Sequence, residues 1–144
     1  MAAACLALRE FAGTEVNVRA VHRQTPPQTC DELTAVIRLT GAAEGILALG
    51  CARPTAAALA GRILFGVTQE PDEPLVCDCL GELANVVAGQ AKALLAGMPC
   101  HFTYSTPSVV PGGDSSVRLS PESACLVIAF ESDVGDVLLR LYQR

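Results

Sequence analysis

The sequence predicts an α+β domain in which a mixed or antiparallel sheet carries two main helices, in the order β-β-β-α-α-β-β-β. Three observations lead there. Stretches with apolar residues at every second position lie in the first third and the last third of the chain. Two stretches of helical periodicity lie together between them. No linker, repeat or low-complexity tract interrupts the 144 residues, so one domain over 1–144 is expected. A chain of this length buries a real core without disulfides or metals.

The elements follow in order. Residues 1–12 are compatible with a short leading helix, and residues 14–22, TEVNVRAVH, alternate as a strand does. Residues 32–40 put Leu33, Ala35, Ile37 and Leu39 on one face, and a Gly-bounded turn leads to a return strand, ILALG. Pro54 opens a helix over about residues 54–64, in the favoured first-turn position. Asp72 is the expected N-cap of a second helix, which runs to Ala96 before Gly97 and Pro99 stop it. HFTYS reads as a short strand and TPSVVPGGD as a turn-rich connection with room for a further short strand. ACLVIAFES is a buried strand, Asp133 to Asp136 a turn, and DVLLRLY the last strand.

Composition removes several function classes. The net charge is −5, no Lys/Arg cluster occurs, and the aromatics are four Phe and two Tyr. Nucleic acid binding needs phosphate neutralisation and stacking platforms, so it is not expected. The apolar run in MAAACLALREF ends at Arg9 after about eight residues and has no basic start, unlike a signal peptide or a membrane span. A cytoplasmic protein without a membrane role is expected. Seven cysteines are scattered without a CxxC, and only His22 and His101 could join them. No metal site is expected; the thiols read as reduced, mostly buried small hydrophobes.

The second helix holds the most informative stretch, CDCLGELANVVAGQAKALL, residues 77–95. At 100° per residue, Leu83, Ala84, Val87, Ala88, Ala91, Leu94 and Leu95 fall within about 80° of Leu80. Asp78, Glu82, Asn85 and Gly89 fall on the opposite side, with Lys92 at its edge. Glu82 and Asn85 are i,i+3 neighbours, with Cβ atoms about 5–6 Å apart. A glycine at position 89 costs the helix about 1 kcal/mol against alanine and faces away from its core. Its expected use is to let another backbone come close beneath the Glu/Asn pair. A solvated polar face is the plain alternative, since a bare ExxN is common.

The longer string DCLGELANVVAGQAKALL closely resembles the signature helix of the CheX/CheC-type chemotaxis phosphatases, in which an acidic residue leads a GELxN…aGxAK pattern. Asp78, Gly81, Glu82, Leu83, Asn85, Gly89, Ala91 and Lys92 match it. STPSVVPGG, residues 105–113, is similar to the family's downstream PxVVxG segment, and residues 35–66 to its hairpin and helix. The likeness runs from about residue 14 to the end. CheC-type members carry two ExxN helices and this chain has one, so it looks more like CheX. Its N-terminal segment is shorter than the family's usual first helix.

The resemblance implies a fold and a chemistry. The substrate would be a CheY-like receiver domain phosphorylated on aspartate. Asn85 would orient a water in line with phosphorus, and Glu82 would pair with the receiver's active-site lysine. Asp78, Gly89 and Lys92 would contact the receiver. The chain would hold no cofactor of its own, with Mg2+ supplied by the phosphorylated receiver. An acyl phosphate hydrolyses unaided, so positioning a water is the main missing step. An amide donates and accepts at once, whereas a carboxylate suits a lysine and not a phosphoryl group. The alternatives are a module that binds receivers without hydrolysis and a flagellar-switch-like assembly module; the intact Glu/Asn pair favours the enzyme. The family also implies a homodimer. The apolar hairpin at the chain end would offer an edge for pairing if exposed, or else sits inside the sheet.

Overall fold

The computed structural model describes residues 2–24, 32–41, 44–65, 70–94, 102–111 and 125–143. The elements are α1 (Ala2–Glu10), β1 (Val16–Gln24), β2 (Leu33–Gly41), β3 (Gly45–Cys51), α2 (Arg53–Ile63), α3 (Glu73–Leu94), β4 (Phe102–Tyr104), β5 (Ser108–Pro111), β6 (Cys125–Ser132) and β7 (Val137–Gln143). The seven strands form one sheet in the order β1-β6-β7-β3-β2-β4, with β5 also on β2. Every pairing is antiparallel. The expected α+β class and the two main helices are present. The short leading helix is a third one: Ala4, Ala7 and Leu8 are buried in the main core.

Alternation decides the layers. Leu33, Ala35 and Ile37 of β2, Leu47 and Leu49 of β3, Ile128 and Phe130 of β6, and Val137 and Leu139 of β7 all join the core that also takes the helices. The intervening residues form a smaller cluster on the other face: Ile46, Ala48, Cys125, Val127 and Tyr142. Fully burying a Leu, Ile or Phe stabilises by about 1.5–3 kcal/mol, so the core dominates the favourable side.

Two expectations are corrected and one left open is filled. The terminal hairpin is not at an edge: β7 lies between β6 and β3, and β6 between β7 and β1. Its unbroken apolar character reflects burial on both faces, as the internal-strand alternative held. β1 begins at Val16 rather than at residue 14, because Thr14 turns inward, fully buried, and its hydroxyl donates to the Ala12 carbonyl at 2.9 Å. The further short strand for which TPSVVPGGD left room is β5, whose β-branched Val109 and Val110 pair with Ala35 and Thr34. The expected helix end at Ala96, with Gly97 and Pro99, lies outside the described residues, as does His101.

β4 and β5 share one edge of β2. β4 pairs with Leu39, Thr40 and Gly41, and β5 with residues Leu33 to Val36. Between them the chain leaves the ladder over Ser105, Thr106 and Pro107. Ser105 anchors the break: its N–H donates to the Arg38 carbonyl and its Oγ accepts from the Arg38 N–H, both at 3.0 Å. Pro107 has no N–H to give to a ladder, which explains why strand pairing lapses here.

Candidate functional site

α3 starts where the sequence says it should. The Asp72 carboxylate accepts from the Leu75 N–H at 3.0 Å, the expected N-cap arrangement. Glu73 in the first turn accepts from Arg53 of α2 at 2.9 Å, which joins the starts of the two helices. Leu80, Leu83, Ala84, Val87 and Ala88 are buried, so this part of the stripe read from the sequence faces the sheet; the expectation fails at the helix end, where Ala91 is half-buried and Leu94 is 57% exposed.

The opposite face carries the predicted residues together. Asp78, Glu82 and Lys92 are exposed, and Asn85 and Gly89 are half-buried. Among the described residues, no hydrogen bond or ion pair engages the side chains of Asp78, Glu82 or Asn85. The i,i+3 spacing of Glu82 and Asn85 sets their side chains next to each other on one helix surface. Here a carboxylate and an amide stand adjacent with their hydrogen-bonding capacity unused.

The segment between β4 and β5 borders this face. A Cβ on Gly81 would stand 3.4 Å from Pro107 Cγ and 3.6 Å from Val109 Cγ2. A Cβ on Gly89 would stand 3.3 Å from the Tyr104 hydroxyl. Gly81, Asn85 and Gly89 are spaced i, i+4, i+8, successive turns of one helix side, each step about 40° further round. Asn85 thus sits midway between the two points where the chain's own segment touches α3, which accounts for its partial burial. The Lys92 ammonium lies 5.8 Å from the centre of the Tyr104 ring, within reach of a cation–π attraction.

This changes the part expected of Gly89. The room left by its missing side chain is bordered by this chain's own Tyr104, whose hydroxyl would stand 3.3 Å from a Cβ there. Lys92 is exposed but stands over that ring rather than free in solvent. The sequence reasoning passed over Tyr104, and it quoted Pro107 within STPSVVPGG without placing it beside α3. Two signals for them were available: Gly81 inside a helix, where glycine marks a close approach, and the two-residue spacing of Phe102 and Tyr104, which puts both on one strand face.

The thiols nearby are inert. Burial pushes the Cys79 thiol up, and the carboxylates of Asp78 and Glu82 push it further. Burial also raises Cys77, with Glu73 and Asp78 adding and Arg53 opposing. Both stay protonated near neutrality, which removes a cysteine nucleophile from this helix. Among the described residues no three His, Cys, Asp or Glu side chains converge as metal ligands, and no helix is long and apolar enough to cross a membrane.

Two cavities lie elsewhere. One, of about 500 Å3, is lined by residues that include Glu15, Asn17, Arg62, Glu131 and Asp133. In it Arg62 holds Asp133 through both guanidinium Nη atoms and donates to Thr14 Oγ1 at 3.0 Å. The second, of about 540 Å3, is lined by Glu32, Cys51, Thr55 and Gly135 among others. The Glu82/Asn85 face belongs to neither. It is the outside of a helix, a shape that fits a macromolecular surface better than a small molecule.

Known proteins resemble this chain in sequence and fold. The family described as chemotaxis phosphatase CheX matches residues 33–131, which include α3 and β4–β5. A relative from Thermotoga maritima, CheY-P phosphatase CheX, is 29% identical over 86 residues, covering 60% of this chain. The matched stretch spans 56% of that relative's length. The crystal structure of a chemotaxis protein CheX from Desulfovibrio desulfuricans has a TM-score of 0.85 at 24% identity, covering 99% of this chain and 95% of that one. A CheX–CheY–BeF3–Mg2+ complex from Borrelia burgdorferi has a chain of the same fold, with a TM-score of 0.74 at 20% identity and coverage of 99% and 93%.

Proposed function

This chain belongs to the chemotaxis phosphatase CheX family, and from that premise we propose that it dephosphorylates a CheY-like receiver domain by hydrolysing its aspartyl phosphate. Asn85 positions the attacking water, and Glu82 pairs with the receiver's active-site lysine. The observation that carries this is the adjacent carboxylate and amide on an exposed helix face, neither engaged by a described residue.

The chemistry asks little of the enzyme. The acyl phosphate is already reactive, and the bond from phosphorus to the aspartate oxygen breaks as a water oxygen adds in line. What remains is to hold that water on the far side of phosphorus. The Asn85 carboxamide oxygen accepts a hydrogen bond from the water while its NH2 group donates to a phosphoryl oxygen. A carboxylate in that place would repel the phosphoryl oxygens. Glu82, one turn away, meets an ammonium instead and fixes the register of docking. Mg2+ comes with the phosphorylated receiver, in keeping with the composition of the Borrelia burgdorferi complex. The protein's own residues contribute position and not a metal.

The same proposal extends to a homodimer and to a cytoplasmic location. The outer edge of β1 is unpaired among the described strands, and Val18 and Val21 on it are exposed. Cys5, Cys51, Cys77, Cys79 and Cys125 are free thiols, which fits a reducing compartment. Sedimentation at micromolar concentration tests the dimer: a mass equal to one chain counts against it.

The deciding experiment is phosphate release from a phosphorylated receiver with wild type, Asn85→Ala and Glu82→Ala. Acceleration by wild type, its loss in Asn85→Ala, and weaker docking with Glu82→Ala support the reading. Equal rates with wild type and Asn85→Ala refute the role of the amide.

A further inference from the structure

We infer that Tyr104 is a positioning residue for docking: its ring holds Lys92 at the C-terminal end of the outer α3 face, so that the face accepts a receiver in one orientation. The inference rests on the proposal that this face docks receivers.

The charge pattern along the face comes first. Asp78, Asn85 and Lys92 are spaced seven residues apart, two turns each, so they lie nearly on one line about 10 Å apart. Asp78 and Glu82 put two carboxylates on the N-terminal half, and Lys92 puts one ammonium on the C-terminal half. A partner that offers an ammonium to Glu82 meets a cation about 15 Å further along the helix. It docks without repulsion only if it presents a carboxylate there. The reverse orientation sets like charges against each other.

A lone lysine would encode this poorly, because its four-carbon stem samples many rotamers. The structure supplies a restraint. The Lys92 ammonium stands 5.8 Å from the Tyr104 ring centre, and no described carboxylate pairs with it. Tyr104 is itself fixed on three sides. Its backbone pairs with Leu39 in the sheet. Its ring meets Phe102 edge-on, with centres 6.4 Å apart. Its hydroxyl lies where a side chain on residue 89 would otherwise stand. Compensation of the helix dipole would be met by a lysine anywhere in the last turn; the ring contact is what fixes its direction. Lys92 thereby becomes an oriented contact for an acidic group on the receiver.

The test compares wild type, Lys92→Gln, Tyr104→Leu, Tyr104→Phe and the Lys92→Gln/Tyr104→Leu double variant. The readouts are kcat and KM for receiver dephosphorylation at low and high salt, with melting curves to establish folding. Lys92→Gln and Tyr104→Leu should each raise KM about two- to fivefold at low salt, the range a cation–π contact supports, with kcat unchanged. Tyr104→Phe keeps the ring and should retain the wild-type KM. The double variant should be no worse than Lys92→Gln alone. An unchanged KM in folded Tyr104→Leu, an effect that persists without Lys92, or equal loss in Tyr104→Phe would overturn the inference while hydrolysis by wild type stands. Should wild type fail to accelerate hydrolysis, binding to a beryllofluoride-loaded receiver takes over as the readout. The same order of affinities supports the inference, and equal affinities or no binding by wild type overturn it.

Discussion

Two polar regions of this molecule are built on opposite terms. Around the turn from β6 to β7, each named group answers another. Arg62 holds Asp133 and Thr14, Arg19 holds Asp136 at 2.8 Å, and the Ser132 hydroxyl donates to the Gly135 carbonyl at 2.7 Å. On the outer face of α3, Asp78, Glu82 and Asn85 answer nothing described. The first region borders a cavity of about 500 Å3, and the second lines neither of the two cavities described above. Polar groups that satisfy one another hold elements in place; polar groups left unsatisfied on a rigid helix are available to something else.

The sharpest way to break this comparison is to delete a group from each side. Asn85→Ala should lower receiver dephosphorylation by about 100-fold, the scale of a lost positioning contact, and leave the melting temperature where it was. A large loss of stability would mean that Asn85 had an internal partner after all. Gly135→Ala should behave in the opposite way. Gly135 has φ of +123°, and a Cβ there would fall 2.2 Å from Thr55 Oγ1. The substitution should cost about 2 kcal/mol or more in chemical denaturation, with activity per folded molecule unchanged.

Smaller effects sharpen the comparison. Gly89→Ala should gain up to about 1 kcal/mol of helix propensity, but the Tyr104 hydroxyl stands against it. The gain should therefore be larger in a Tyr104→Phe background than in wild type, measured as a difference in denaturation midpoint. The smallest effect is expected at Asp133. The Arg62 guanidinium holds its carboxyl below the usual carboxylate range. A depressed folded-state pKa gives stability that is present above the unfolded value, near 3.9, and is lost as pH falls through the folded value. Asp133→Asn should lower the melting temperature slightly at pH 7 and flatten its fall below about pH 4. Because the pair is exposed, 0.5 M salt should shrink the difference.

Most of the fold was legible because the two periodicities are strong. Leu33, Ala35 and Ile37 can face only one way, and Leu80, Leu83 and Val87 can make only one stripe. The Asp72 cap was visible for the same local reason. The order of strands was not, since nothing local in β6 or β7 says which strand will lie beside it. An apolar hairpin at the chain end reads alike whether it is an edge or a centre. At the site, Glu82 and Asn85 were legible because both lie on one helix, and spacing alone sets neighbours there. Tyr104 reaches α3 from β4 and Pro107 from the segment that follows it, and that approach is a tertiary fact. Gly89 shows the limit: a glycine announces that something comes close, but not what.

The central place of β6 and β7 has a consequence for how the protein is made. β1 pairs with β6 and β3 pairs with β7, so the two parts of the sheet meet only through the last strands in the sequence. During synthesis β3 ends at Cys51 and β6 begins at Cys125, so at 5–20 residues per second the wait is roughly 4–15 s. For that time β1 and the β2–β3 hairpin each carry an edge without its partner, including the apolar residues Val16, Leu47 and Leu49. Folding that depends on such distant pairings is slow among small domains. The nascent chain is thus most exposed to aggregation in the interval before its final hairpin arrives.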